Sequence, residues 1–244
     1  MTLRQKLNRY CAVLMVLSFP LLFYGRTIEP YNPKTVTTSI RFENRALSNG
    51  DLPITVLLMS DLHVCDEDSI QLLEDAIKLG LESKPDIIFL TGDYVTSHLF
   101  HKEAYVSALK KLSEFAPVYA TLGNHDGGNW SGPRYGATDT DDVISLLRES
   151  NITCLSNTAV DCVVNDVNLH IIGLGDFWAG DFSPSKHLFE RASDQFTIVL
   201  SHNPDTRPIL EQYKWELMLS GHTHGGQMDL PIIDNIYVPV RHKE

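Results

Sequence analysis

Cysteine pairs, positive charge and long apolar runs are all scarce in this chain of 244 residues. The four cysteines include no C-x-x-C pair, which argues against a zinc ribbon and against a disulfide-dense scaffold. We interpret Cys65, Cys154 and Cys162 as reduced packing residues. The alternative for the last two, a Cys154–Cys162 bridge, requires an oxidising compartment.

Basic residues are outnumbered by acidic ones, 20 to 31, and the net charge is −11. Four of the basic residues and none of the acidic ones fall within the first 26 positions, so the rest of the chain is more acidic still. Such a body repels a nucleic-acid backbone, and we expect no nucleic-acid partner. An anionic substrate remains compatible with it if bound metal ions supply positive charge locally.

The one uncharged apolar run is Tyr10–Gly25, with three cations before it and Arg26 after it. As a helix, its 16 residues reach about 24 Å, short of the roughly 30 Å hydrocarbon core, and Pro20 is expected to kink it. No A-x-A cleavage site follows. The run therefore favours an uncleaved anchor or an interfacial helix, with a cleaved signal as the alternative. If the helix spans the membrane, the folded domain is predicted on the outer side of the membrane. If the helix is interfacial, the domain can lie on the cytosolic side.

Three regions are predicted along the chain. Residues 1–26 form the hydrophobic anchor, and residues 27–52 read as a linker with one short strand near 35–43. Residues 53–244 form the folded domain. Within it, strand patterns such as Ile54–Met59 and Phe196–Leu200 alternate with helical patterns such as Asp141–Glu149, which predicts βαβ units of an α/β fold. A strand-rich stretch between these units and the C-terminus predicts a second sheet and a layered sandwich.

Metal-type side chains follow almost every predicted strand, at the point where the strand ends. The segments are DLH at 61–63, GD at 92–93, GNHD at 123–126, SHN at 201–203 and GHTHGG at 221–226. Because the carboxyl ends of parallel strands form one rim, we expect these side chains to converge. Carboxylate and imidazole ligands together suit borderline divalent metals, and seven ligands with one shared suit two metals. Each motif alone is typical of surface loops, but the ordered set is not.

In order and combination these motifs resemble the calcineurin-like metallophosphoesterases, over about residues 53–242. GDFWAGD at 175–181 and HNPD at 202–205 are similar to the bacterial membrane-associated phosphodiesterases that include a UDP-2,3-diacylglucosamine diphosphatase. The resemblance implies a four-layer α/β/β/α sandwich. It also implies two divalent metal ions as cofactors, Mn²⁺ in the first place, with iron or zinc as alternatives.

The resemblance also implies a role for each matching residue. Seven side chains are implied metal ligands: Asp61, His63 and His224 on the first metal, Asn124, His202 and His222 on the second, and Asp93 between them. His125 is the implied catalytic histidine, which stabilises the phosphoryl transition state or protonates the leaving oxygen. Asp126 is expected to orient His125.

The sequence departs from the family pattern in two ways, one of which concerns the substrate class and the other the completeness of the domain. Protein phosphatases of this superfamily carry an Asp-Arg pair shortly after the GD motif, whereas here Asp93 is followed by Tyr94-Val95-Thr96-Ser97, which argues against phosphoprotein substrates. Relatives also continue into further strands after GHTHGG, whereas this chain ends at Glu244. We therefore expect a domain that is incomplete at its C-terminus.

Two aromatic segments are candidate substrate contacts. The glycine-rich loop at 127–138 offers Trp130, Arg134 and Tyr135, where the arginine would hold a phosphate and an aromatic ring would stack on a base or sugar. The second segment contains Phe177, Trp178 and Phe182, which either form an acyl-chain groove or cover the core.

Together with the apolar N-terminal run, the resemblance implies a membrane-associated pyrophosphatase that releases UMP from UDP-2,3-diacylglucosamine in lipid A biosynthesis, at a bacterial inner membrane. Its expected partners are a small-molecule, lipid-linked nucleotide and the membrane surface, and no protein partner is predicted. One alternative is a general metal-dependent phosphodiesterase. Another is an inactive binding scaffold of the same fold, which the complete ligand set disfavours.

Overall fold

The computed structural model describes residues 2–42, 53–130, 136–137, 139–226 and 240, in two compact units, Met1–Thr37 and Thr38–Glu244. The first unit contains the helix α1, Leu3–Thr27, and those of its side chains that the structure describes are exposed. A capping box starts it, because the Thr2 hydroxyl accepts from Gln5 N and Gln5 Oε1 accepts from Thr2 N.

Helix α1 is longer than the apolar run predicted. Its 25 residues extend about 37 Å, because the polar residues before Tyr10 are helical too and Pro20 lies inside the helix without ending it. The span Leu3–Gly25 is long and apolar enough to cross a membrane, by length and composition alone. The expected marginal length of about 24 Å was therefore too short.

The second unit begins with a parallel sheet in the order β1-β2-β3-β4, connected by three helices. The strands are β1 Val56–Met59, β2 Ile87–Thr91, β3 Val118–Thr121 and β4 Thr153–Cys154. The helices are α2 Glu67–Leu81, α3 Lys102–Ser113 and α4 Asp141–Glu149. Helix α2 buries Ile70, Leu73 and Ile77 at helical spacing, and each such side chain contributes about 1.5–3 kcal/mol.

A second, mixed sheet follows in the order β5-β6-β7-β8. The strands are β5 Thr158–Val164, β6 Val167–Gly173, β7 Phe196–Leu200 and β8 Leu217–Leu219, and the short helix α5 is Arg207–Leu210. Strands β5 and β6 form a hairpin whose two loop residues, Asn165 and Asp166, have φ angles of 46° and 64°. Asparagine and aspartate tolerate this conformation, which matches the twist of the strands.

Three apolar clusters show how the layers pack. On β2, Ile88 and Leu90 face the helices α2–α4, whereas Ile87 and Phe89 face the second sheet. The outer face of the second sheet packs Val199 and its neighbours against α5 and a short 3-10 helix, Lys186–Phe189. This helix–sheet–sheet–helix arrangement confirms the predicted four-layer α/β/β/α sandwich.

Two expectations outside these layers have different outcomes. Residues 35–42 form no strand in the structure, although Phe42 packs edge-on against Phe196 with ring centroids 4.8 Å apart. Cys154 and Cys162 are free thiols. Burial raises the pKa of Cys154 to about 12, as expected of a packing residue.

Candidate metal centre

Five strand ends deliver the seven candidate ligands to one rim of the two sheets. They are Asp61 and His63 after β1, Asp93 after β2, Asn124 after β3, His202 after β7, and His222 and His224 after β8. The loops that carry them are tied together, since Asp61 N donates to Gly92 O and His63 N donates to Asp93 O, each at 3.0 Å.

The first group of side chains comprises Asp61, His63, Asp93 and His224, whose ligand atoms all lie within 4.8 Å of one another. His63 Nε2 is 3.5 Å from Asp93 Oδ2 and 3.2 Å from His224 Nε2. His224 Nε2 is 3.5 Å from Asp61 Oδ1. Two carboxylates and two imidazoles thus face a common centre.

The second group comprises Asp93, His202 and His222, again within 4.8 Å of one another. His202 Nε2 is 3.2 Å from Asp93 Oδ2 and 3.3 Å from His222 Nδ1. Asn124 is buried, and its Oδ1 accepts no hydrogen bond from the described residues. Because a buried carbonyl oxygen without a donor is costly, this oxygen fits a cation ligand. Asp93 belongs to both groups.

The spacing of the imidazole nitrogens fits metal coordination. Nitrogens bound 2.0–2.1 Å from one ion in tetrahedral geometry are about 3.3 Å apart. The facing nitrogens of His63 and His224 are 3.2 Å apart, and those of His202 and His222 are 3.3 Å apart. The residues present therefore fit divalent cations in both groups.

Contacts behind the candidate ligands fix how they point. His202 Nδ1 lies 2.6 Å from the carbonyl oxygen of Thr91, which can only accept, so this nitrogen carries the proton and Nε2 faces Asp93. Both oxygens of Asp61 accept from the backbone N–H of His222 at 3.0 Å. Such outer contacts lower the entropy that coordination would cost.

The pKa values of His202 and Asp93 show that the two side chains stabilise each other's charge. Burial lowers the pKa of His202, but the adjacent Asp93 carboxylate outweighs it and raises that pKa to about 10. Burial opposes ionisation of Asp93, yet His202 and His63 hold its pKa well below its usual range. A centre that retains a proton this firmly also attracts a metal cation, which would displace that proton.

Five of the seven candidate ligands have left-handed backbones. The φ angles are 55° at Asp61, 45° at His63, 57° at Asp93, 68° at His222 and 50° at His224. Non-glycine residues in this region cost about 1–3 kcal/mol each and cluster at functional sites. The surrounding loops therefore hold these side chains against a local conformational preference.

Two glycines allow the loops to approach one another. A Cβ at Gly123 would lie 2.2 Å from Asp93 Oδ1, and a Cβ at Gly221 would lie 1.8 Å from Ser60 Oγ. Any side chain at Gly123 would therefore push Asp93, the residue common to both groups, out of place.

His125 lies beside the first group, with its ring perpendicular to that of His63 and the centroids 4.8 Å apart. Its backbone N–H donates to Asp93 Oδ1 at 2.9 Å, and its Nδ1 lies 2.9 Å from the carbonyl oxygen of Thr96. Asp126 was expected to orient this ring, but the contacts of its carboxylate are with backbone groups instead. The buried Asp126 carboxylate accepts from the backbone N–H of Asp93, Tyr94 and Gly123 at 2.7–2.8 Å, and thus shapes the loops beneath the ring.

Burial and the nearby Asp93 carboxylate raise the pKa of Asp126, while the Gly123 and Tyr94 N–H groups lower it. Asp126 is fully buried and contacts both loops through their backbone N–H groups.

Asp176 is a buried acid near this centre that the sequence reasoning did not single out. Its Oδ1 accepts from the backbone N–H of Trp178 and Ala179, both at 2.7 Å. Burial raises its pKa, and the charge of His202 opposes that rise. The available signal was its place shortly after β6, in the pair Gly175-Asp176, since a Gly-Asp pair also follows β2 at Gly92-Asp93.

The loop that Asp176 caps brings an aromatic ring to the centre. Trp178 packs edge-to-face on His222 with centroids 4.4 Å apart and lies 4.7 Å from Trp130. A backbone hydrogen bond from Asn129 to Ala179 at 2.8 Å joins the two loops. We call Trp130 and Trp178 the tryptophan pair.

The other predicted substrate contacts have separate outcomes. Arg134 and Tyr135 lie outside the described residues. Phe182 packs against the apolar cluster on the outer face of the second sheet, and Phe177 contacts Phe182 edge-to-face at 5.7 Å. Phe182 therefore helps to cover the core, which is one of the two predicted alternatives. Trp178 instead lies against the candidate ligand His222.

Comparison with known proteins identifies what the chain is similar to. The family model described as calcineurin-like phosphoesterase matches residues 54–226. The phosphodiesterase YaeI of Escherichia coli K12 is 36% identical over 84% of this chain and 73% of its own length. The uncharacterised metallophosphoesterase YkuE of Bacillus subtilis is 28% identical over 88% of this chain and 73% of its own length. The UDP-2,3-diacylglucosamine pyrophosphatase LpxG of Chlamydia muridarum is 27% identical over 73% of this chain and 65% of its own length.

Proposed function

Because this chain belongs to the calcineurin-like phosphoesterase family, we propose that it is a two-metal hydrolase of phosphodiester or phosphoanhydride bonds. The observation that carries the proposal is the pair of ligand groups that share Asp93, with His125 directly beside them. Two divalent ions at adjacent positions suit an in-line displacement at phosphorus. Mn²⁺ is the cation we expect to serve in assays.

The residues divide between the two cations as follows. Asp61, His63 and His224 would hold one cation, Asn124, His202 and His222 would hold the other, and Asp93 would contribute to both. When bound, two such cations acidify a water molecule and neutralise charge that develops on the phosphoryl oxygens. The acidic surroundings then no longer repel an anionic substrate.

His125 supplies the proton that the leaving oxygen needs. Since the Thr96 carbonyl can only accept, Nδ1 carries a hydrogen in both charge states of the ring. The proton that moves is therefore the one on Nε2. This nitrogen donates to the leaving oxygen as the bond to phosphorus breaks.

An inactive scaffold of the same fold is the competing class. Such a protein gains nothing from five ligands with strained backbones or from two aligned pairs of imidazole nitrogens. Strain of this kind is retained where the site requires it. These features favour the hydrolase.

We further propose a lipid-linked nucleotide diphosphate of the UDP-2,3-diacylglucosamine type as the preferred substrate, with UMP as a product. Helix α1 suits a membrane anchor, and an anchored enzyme shares its plane with a lipid substrate. The similarity to LpxG points to the same class of substrate. The higher identity to a phosphodiesterase, YaeI, keeps the general phosphodiesterase as the alternative.

Within this proposal the tryptophan pair contacts the part of the substrate that is not transferred. Trp130 is 41% exposed, so a ring face is available to a base or sugar, and Trp178 adjoins the ligand His222. Arg134 and Tyr135, on the same loop as Trp130, complete the proposed contacts. Stacking on an exposed tryptophan contributes about 1–3 kcal/mol per base in nucleic-acid complexes.

Hydrolysis of bis-p-nitrophenyl phosphate tests the activity itself. Metal-loaded protein is expected to release p-nitrophenolate, and removal of metal by a chelator is expected to abolish release until Mn²⁺ is restored. Folded protein that binds the metal and never turns over any diester or anhydride would favour the scaffold.

A comparison of kcat/KM tests the substrate. UDP-2,3-diacylglucosamine should exceed UDP-GlcNAc and bis-p-nitrophenyl phosphate by at least about 10²-fold, a difference of roughly 2.7 kcal/mol in transition-state stabilisation. Buried acyl methylenes, at about 0.8 kcal/mol each, provide that difference. Equal rates on all three compounds would leave a general phosphodiesterase.

A further inference from the structure

Thr96 joins the proposed catalytic histidine to a proposed metal ligand through two different atoms. Its carbonyl oxygen lies 2.9 Å from Nδ1 of His125, and its hydroxyl donates to the carbonyl oxygen of His63 at 3.0 Å. The residue is only partly buried, and it lies in the loop that connects β2 to α3.

The two loop residues Asp93 and Tyr94 are held independently of Thr96. The Asp93 carbonyl accepts from His63 N and the Tyr94 carbonyl accepts from Val64 N, each at 3.0 Å. The Tyr105 hydroxyl also donates to the Tyr94 carbonyl, at 2.9 Å. Loss of the Thr96 hydroxyl is therefore expected to loosen Thr96 itself and to leave Asp93 in place.

The carbonyl of Thr96 determines which nitrogen of His125 faces the substrate. A carbonyl oxygen requires a hydrogen on Nδ1, which leaves Nε2, on the opposite edge of the ring, to exchange the proton. A hydrogen bond also fixes the rotation of the ring. Misplacement of a reacting group by about 1 Å can cost as much as 10²-fold in rate.

We propose that Thr96 is a positioning residue for proton transfer: its hydroxyl, anchored on His63, aims its carbonyl at Nδ1 of His125. The proposal rests on the proposed function of His125 as the proton donor. It assigns the orientation of His125 to a backbone carbonyl, and it makes that orientation depend on the hydroxyl of Thr96.

The leaving group reveals whether proton transfer is affected. Diphenyl phosphate has a poorer leaving group than bis-p-nitrophenyl phosphate and depends more on a proton donor. In Thr96→Val, kcat on diphenyl phosphate should fall about tenfold or more, while kcat on bis-p-nitrophenyl phosphate falls less than about threefold. KM and the metal content per chain should stay unchanged.

Thr96→Ser is the matched control, because it keeps the hydroxyl and loses only a methyl group. It should restore kcat on diphenyl phosphate to within about twofold of the parent protein. Equal losses on both esters in Thr96→Val, no rescue by serine, or a loss of metal would each overturn the proposal in favour of a general structural role.

A second measurement needs neither turnover nor a variant that folds. ¹⁵N NMR of the parent protein, loaded with diamagnetic Zn²⁺, should find His125 with its hydrogen on Nδ1. A hydrogen on Nε2 alone overturns the Thr96 assignment, whatever the activity. Absent hydrolysis together with an Nδ1 hydrogen would instead reject the proposed function and leave the contact between Thr96 and His125 intact.

Discussion

At the scale of single residues, His125 carries the largest expected effect on rate. His125→Ala should lower kcat by about 10²–10⁴-fold on a substrate with an alkoxide or phosphate leaving group, because the leaving oxygen loses its proton donor. The side chain belongs to neither ligand group, so metal content should remain that of the parent protein. Steady-state kinetics with elemental analysis provide both numbers.

His187→Ala is a suitable control, since this imidazole is exposed and lies in the short 3-10 helix Lys186–Phe189. It should behave as the parent protein does. A loss below about tenfold in His125→Ala with such a leaving group would remove His125 from the proton-transfer step.

The sequence was sufficient to predict which ligand-type residues would meet, because each follows a strand and strand ends share a rim. Asp61, Asp93 and His202 come together as that argument requires. It could not predict that Thr96 would hold His125 through a carbonyl, since backbone acceptors have no sequence signature. For Asp176 the position after β6 was a usable signal, but its burial depends on packing between distant segments and could not be predicted.

At the scale of elements, the turn after β3 limits what position 123 can hold. Gly123→Ala should reduce Mn²⁺ affinity strongly and lower the melting temperature, because the new Cβ would collide with Asp93 Oδ1. Isothermal titration and thermal unfolding, each with and without Mn²⁺, measure the two effects.

Gly80→Ala provides the comparison, since Gly80 lies in helix α2 and the atoms nearest to its new Cβ would be side-chain atoms of Leu57 in strand β1, at 3.0 Å. It should keep Mn²⁺ affinity, and alanine favours the helix by about 0.8–1.0 kcal/mol. If both variants bind Mn²⁺ equally, the close approach of Gly123 to Asp93 is not required for the centre.

The predicted helices and strands of the layered domain match the observed ones where hydrophobic period and length agree, whereas the strand predicted near 35–43 does not form over residues 35–42. α4 and β7 fall where the sequence patterns predict them, over Asp141–Glu149 and Phe196–Leu200. α1 is longer than predicted because hydropathy marks only the apolar part of a helix, whereas the cap at Thr2 sets where it begins.

At the scale of the whole molecule, the two compact units suggest a division of labour. Removal of Met1–Thr37 should release the protein into the soluble fraction and keep its activity on bis-p-nitrophenyl phosphate, since every candidate ligand lies in the second unit. Fractionation at high salt and an assay of the soluble fraction test this.

A single substitution within the full-length chain is a gentler version of the same test. Val16→Asp puts a charge in the middle of helix α1, where a membrane centre disfavours it by about 2.5–3.5 kcal/mol. It should weaken membrane association without changing turnover of the soluble ester.

Truncated protein that still sediments with membranes at high salt would locate the lipid-binding surface in the second unit.

The central claim is that two cations share Asp93, and the metal content per chain tests it most directly. After equilibrium dialysis against Mn²⁺, elemental analysis should find two ions per chain in the parent protein. Asp93→Ala should lose or weaken both, because it removes the carboxylate common to the two ligand groups. One ion or none in folded, metal-supplied parent protein, or two ions retained in Asp93→Ala, would contradict the account.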